Sequence, residues 1–132
     1  MTSPPPAAVP QASALRAAIQ AMPGAGGSPL ALPSARGVTL WKVMGRMFAI
    51  QTDAPKNQSV ILKCDPHLAE ILKQQYAGVG HRSHLDRRFW ISVTLDADVP
   101  LAETQRLVAH SYDLVRAGLT RKQKAELEAL AT

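Results

Sequence analysis

From residue 12 onward the spacing of hydrophobic positions switches between two periods, and the switches predict the elements. Leu15, Ile19 and Met22 recur at helical spacing over residues 12–22, Ser13 can cap, and Pro23-Gly24 stops the segment, which predicts a short amphipathic helix. Residues 24–37 hold four glycines and two prolines and read as a loop. Three strand-like runs follow at 38–43, 47–52 and 59–63, the first two joined by the tight link Met44-Gly45-Arg46. The link 53–58 is longer and polar, so the three runs form an antiparallel meander with tips at Gly45-Arg46 and Pro55-Lys56-Asn57.

Asp65-Pro66 starts a second helix, because Asp caps and Pro suits the first helical position. Its apolar face is Leu68, Ile71, Leu72 and Tyr76, and Gly78 with Gly80 ends it. A further short strand fits near 77–83. The run 89–95 alternates as a strand, with Phe89, Ile91, Val93 and Leu95 on one face and Trp90, Ser92 and Thr94 on the other. Pro100 opens a long helix that buries Leu101, Val108, Tyr112, Val115 and Leu119, with Gly118 at its C-terminus. Thr120 and Gln123 form a capping box for a last helix. The predicted fold is α+β: one two-layer domain over 12–132, an antiparallel β-sheet with helices packed on one face. Residues 1–11, with four prolines and no charge, read as a disordered Pro-rich tail.

Composition narrows the class without naming a function. A chain of 132 residues suits one domain able to bury a core without staples. The single cysteine, Cys64, excludes a disulfide framework and suits a reducing cytosol, so a cytoplasmic location is expected. No apolar run approaches the roughly 18 residues of a membrane span, and residues 1–11 lack a signal peptide's basic and apolar regions. The net charge is +5, and the segment 36–63 alone carries five basic residues against one acidic. Clustered positive charge points to a polyanion or to an ordinary solvated surface.

Four features carry candidate chemistry. His81, His84 and Asp86 supply metal-donor atoms, but their spacing matches no strong template and offers no fourth ligand, so no metal is expected. Cys64 precedes a helix start, which suits either a lowered thiol pKa or a small buried residue at a strand end; no group completes a triad, and no catalytic residue is assigned. Met22-Pro23-Gly24-Ala25-Gly26-Gly27 lacks the GxxxxGK[ST] pattern and follows a helix, so no nucleotide cofactor is expected. The fourth feature is the basic set Lys42, Arg46, Lys56, Lys63, Arg82, Arg87 and Arg88, with His84 and Trp90 beside it. If the hairpin tips and the 81–88 loop lie together, they offer donors for phosphate oxygens and an indole for stacking. Trp90 also reads as core, with the arginines solvating the rim.

The runs Trp41-Lys42-Val43, Met47-Phe48-Ala49, Val60-Ile61-Leu62-Lys63-Cys64-Asp65-Pro66, His84-Leu85-Asp86-Arg87-Arg88-Phe89-Trp90-Ile91-Ser92-Val93 and Ser111-Tyr112-Asp113-Leu114-Val115 resemble the MmcQ/YjbR family. The resemblance covers about residues 12–130. It implies a YjbR-like, CyaY-like domain, described as DNA-binding because two β-hairpin wings resemble a double-wing motif of a phage transcription factor. That description rests on fold analogy. The chain departs from the family pattern at Ala25-Gly26-Gly27, where acidic residues are usual. In the loop, Asp86 stands for an Asn, Arg87 for a Lys and Phe89 for a second His. Losing that His weakens any acid–base or metal role for the loop, whereas Arg87 keeps the positive charge.

The leading expectation is a non-catalytic DNA-binding protein contacting phosphate through these basic residues. A protein- or peptide-binding, chaperone-like adaptor using the sheet face is the alternative, and an enzyme built on Cys64 or the histidine loop comes third.

Overall fold

The structure, a computed structural model, describes residues 11–29, 37–54, 57–81, 83 and 85–131. Four helices and six strands run in the order α1 (Gln11–Gln20), β1 (Ala25–Pro29), β2 (Val38–Val43), β3 (Arg46–Ala54), β4 (Asn57–Lys63), α2 (Pro66–Gln75), β5 (Val79–Gly80), β6 (Trp90–Thr94), α3 (Leu101–Ala117) and α4 (Arg121–Ala131). The strands form one antiparallel sheet ordered β1-β2-β3-β4-β6-β5. The α+β architecture is therefore as the sequence predicts, with two additions.

The first is β1. Its sequence, Ala-Gly-Gly-Ser-Pro, has no strand signature, and the loop expected over 24–37 is corrected there. It pairs with β2 because Gly27 sits opposite Trp41. A Cβ on Gly27 would fall 2.7 Å from the Trp41 ring, so the missing side chain lets this edge strand cover the indole. The second addition is β5, two residues long, at the place where a short strand fitted.

Side-chain alternation shows which sheet face carries the helices. Trp41, Val43, Ala49, Gln51, Val60, Leu62, Ile91 and Val93 are buried, whereas Leu40, Ile50, Ile61 and Trp90 on the opposite face are only partly covered. A β-bulge opposite Trp41 and Lys42 lets two consecutive residues of β3, Phe48 and Ala49, both bury. Phe48 meets Tyr112 of α3 edge-on, with 5.5 Å between ring centres. Gln51 is fully buried, yet its amide accepts from Trp41 Nε1 at 3.2 Å and donates to Ala12 O at 2.9 Å, tying α1 to the sheet.

Several local expectations shift. Ser13 lies inside α1, which begins at Gln11, the last residue of the expected tail; residues 1–10 lie outside the described residues. In α2 the Asp65 carboxylate accepts from the His67 and Leu68 N–H groups, as a cap should, but Ala69 and Leu72 form the buried face. Ile71, expected in the core, is 48% exposed. Phe89 stays outside β6 and is 39% exposed. The capping box is present: Thr120 Oγ1 accepts from Gln123 N–H, and Gln123 Oε1 accepts from Thr120 N–H. Among the described residues no helix is long and apolar enough to cross a membrane.

Candidate nucleic-acid interface

The basic residues do not gather at one point. Successive tips of a meander lie at opposite ends of the strand they share. Eight residue steps of β3 separate Arg46 from Ala54, about 26 Å at a strand rise of about 3.3 Å per residue. The expectation of two hairpin tips and the 81–88 loop together is corrected: only the Gly45-Arg46 tip shares a sheet end with that loop. The loop leaves β5 at Gly80 and enters β6 at Trp90, which pairs with Lys63 at the end of β4 nearest Arg46. Lys56, Arg82 and His84 lie outside the described residues.

At that shared end the sheet parts. β3 stays paired with β2 as far as Val43–Arg46, and β4 stays paired with β6 as far as Lys63–Trp90. The β3–β4 ladder, however, stops at Ala49–Leu62. Ser111 of α3 spans the break: its hydroxyl donates to Phe48 O at 2.6 Å and accepts from Lys63 N–H at 2.9 Å. Both backbone groups are satisfied without a neighbouring strand, so the parting leaves neither of them unpaired.

A cleft of about 310 Å³ opens at the break. Arg46 and Met47 line it from β3, Lys63 and Trp90 from β4 and β6, and Leu114, Val115 and Gly118 from α3 and its C-terminal end. None of these residues is acidic. Arg46 and Lys63 make no ion pair among the described residues, nor do Lys42, exposed on β2 beside this tip, and Arg87, exposed in the loop. Trp90 is half-buried, so an aromatic residue and two cations without ion-pair partners among the described residues line the same small space. Trp41 is different: it is 2% exposed and belongs to the core.

Arg88 is not free in the same way. Its guanidinium donates to both Asp86 oxygens, at 3.1 and 2.7 Å, and stacks 5.3 Å from the Phe89 ring centre. The hydrogen bonds from Arg88 hold the Asp86 carboxyl down at about 2, and the same pairing raises the Arg88 pKa. His81 Nε2 donates to Leu85 O at 2.6 Å, closing the loop on itself. Cys64 is 1% exposed, the small buried residue at a strand end that is one of its two readings from the sequence; burial first, then the Asp65 carboxylate, pushes its thiol up to about 11. Among the described residues no three His, Cys, Asp or Glu side chains gather as a metal site.

Sequence reasoning missed Ser111 and Gly118. The signal for Ser111 was a hydroxyl on the buried side of an amphipathic helix, between Val108 and Val115, where it needs a partner. Gly118 reads as a helix terminator, but its φ of −86° is open to any residue, and an added Cβ would meet only Val115 O at 3.5 Å. Its place in the structure is the wall of the cleft.

The YjbR family model matches residues 21–114, which include both strand walls of the cleft and Ser111. The chain is 37% identical over 71 residues to the uncharacterised protein YjbR of Escherichia coli K12, a stretch that is 54% of this chain and 60% of that protein. It is 25% identical over 85 residues to the uncharacterised protein YbdF of Escherichia coli O157:H7, covering 64% of this chain and 70% of that one. A crystal structure of the Deinococcus radiodurans protein DR2400, with the domain DUF419, superposes with a TM-score of 0.78 at 27% identity, over 90% of this chain and 88% of that one. A Pseudomonas syringae protein shares the fold at a TM-score of 0.59 and 18% identity, over 68% of this chain and 86% of that one. With the family model spanning well over half of its residues, the chain belongs to the YjbR family.

Proposed function

We propose that the chain is a non-catalytic, cytoplasmic DNA-binding protein that holds phosphate at the sheet end carrying Arg46, Lys63, Lys42 and Arg87. One observation carries this reading: Arg46 and Lys63, both without an ion-pair partner among the described residues, line a single cleft with no carboxylate among its described lining. Phosphate oxygens are the natural acceptors for such donors, because an unpaired guanidinium or ammonium beside a half-buried indole gains most from a dispersed anion. The alternative, a peptide held on the open sheet face, has less support. Leu40, Ile50 and Ile61 there are partly covered, and the exposed Ile71, Phe89 and Leu130 are scattered over separate elements.

Anisotropy titration of labelled DNA across a salt series tests the reading. Four phosphate contacts give a slope of log K against log salt of about −3 to −4, with Kd of roughly 10⁻⁴ to 10⁻⁶ M at physiological salt. Arg46→Glu with Lys63→Glu abolishes binding. A salt-independent response, or none at low salt, would sink it.

A further inference from the structure

The cleft also has a shape, and the shape selects among nucleic acids. We propose that it seats one unstacked base against Trp90, with the adjoining phosphate held by Arg46 and Lys63, so that the protein prefers single-stranded over duplex nucleic acid. This rests on the phosphate-binding reading and narrows it.

Three observations support the narrower statement. First, the cleft is concave and about 310 Å³, near the small end of ligand pockets, which run from roughly 300 to 1,000 Å³. That is room for one planar ring and its sugar, not for the convex side of a double helix. In a duplex both faces of every base are already stacked, so the indole has nothing to receive; a single strand offers a free face at each nucleotide. Second, the lining divides by chemistry. Met47, Leu114 and Val115 add apolar surface to the lining beside Trp90, and the two cations are Arg46, at the end of β3, and Lys63, the strand partner of Trp90. Base face and phosphate are adjacent in a nucleotide, as are these two kinds of lining. Third, Gly118 keeps the space open. Neither its backbone angles nor crowding demands glycine, and with no side chain it leaves that part of the cleft wall bare.

Aromatic residues that stack single-stranded bases typically tolerate any sequence, since every base has a π-face. Little sequence preference is expected here. The choice between DNA and RNA is likewise open to this surface, because nothing in the lining is placed to count a 2′-hydroxyl.

The test compares a thymidine 12-mer with a duplex of the same length by anisotropy at one low salt concentration, while tryptophan emission is followed. Trp41 is buried and bonded to Gln51, so quenching by bases reports Trp90; Trp90→Phe, which keeps a stacking ring, confirms that assignment by losing the signal while retaining binding. The 12-mer is expected to bind at least about tenfold more tightly than the duplex and to quench the emission, in keeping with stacking worth about 1–3 kcal/mol per base. Gly118→Leu adds bulk to the cleft wall without touching a charge; it should bring the single-strand and duplex affinities together, with both still falling as salt rises. Salt-sensitive binding with equal affinities and unquenched emission would overturn the base-seating proposal while sparing the phosphate reading. Failure of both ligands to bind at low salt would overturn both.

Discussion

Ser111 and Phe48, 63 positions apart in the chain, are joined by a 2.6 Å hydrogen bond in which the hydroxyl of α3 donates to a strand carbonyl. The same oxygen accepts the N–H of Lys63. One helix side chain thus stands in for a missing rung of the sheet, and the cleft exists because β3 and β4 can part there without leaving those two groups unpaired.

Ser111→Ala should therefore cost more than an ordinary serine truncation. Phe48 O and Lys63 N–H would lose a partner together, in a place that is 0% exposed at Ser111 and at Phe48. Leaving a buried polar group unsatisfied costs about 1–3 kcal/mol. A loss of about 2 kcal/mol in urea unfolding, with an unchanged m-value, is the expected result. A loss under about 0.5 kcal/mol would show that the two backbone groups re-pair with each other. Weaker nucleic-acid binding should accompany the loss, since Lys63 would no longer be held.

Gly27 and Gly26 separate two reasons for glycine in one strand. A Cβ on Gly27 meets three carbons of the Trp41 ring, at 2.7 to 3.0 Å, and that ring is fixed by its bond to Gln51. Gly27→Ala should destabilise the fold by about 1–3 kcal/mol, as overpacking does. Gly26→Ala meets nothing within 4 Å and should be within about 0.5 kcal/mol of the parent. Thermal unfolding of the two variants side by side decides the matter; equal effects would mean that β1 does not lie over Trp41.

The same pair explains what could be read from the chain and what could not. The meander, the Asp65 cap, the alternation of Ile91 and Val93 and the capping box at Thr120 all follow from local rules, and each was legible. β1 was not, because its reason to be a strand lies in a tryptophan fourteen positions away. The cleft was half legible. Arg46, Lys63 and Trp90 stood out by type, but their meeting depends on where a ladder stops, and Arg88, chemically their equal, is held by Asp86.

Cys64 offers a check on burial at the strand end. With its thiol pushed up to about 11, almost none is thiolate near neutrality, and the thiolate is the reactive form. Iodoacetamide at pH 7.5 should leave the folded protein unlabelled for hours while labelling the urea-unfolded chain readily, as mass spectrometry would show. Rapid labelling of the folded form would place the thiol in a site open to solvent.

The Asp86–Arg88 pair makes a prediction for pH and one for binding. Hydrogen bonds from Arg88 lower the Asp86 carboxyl from 3.8 to about 2, so the folded chain binds that proton more weakly than the unfolded chain does. Whatever the pair contributes to stability is present at neutral pH and is lost as pH falls from about 4 towards about 2. A carboxyl carbon titration by NMR should find the Asp86 midpoint near 2 in the parent and back towards 3.8 in Arg88→Gln. A parent midpoint near 3.8 would mean that the loop does not hold the pair in solution. If it is held, Arg88 already has a carboxylate in the place a phosphate would take, and Arg88→Glu should weaken nucleic-acid binding less than Arg46→Glu. Each cation that does contact phosphate should take about one unit from the salt slope when removed. Arg46 and Lys63 should do so, and Arg88 should leave the slope nearly unchanged.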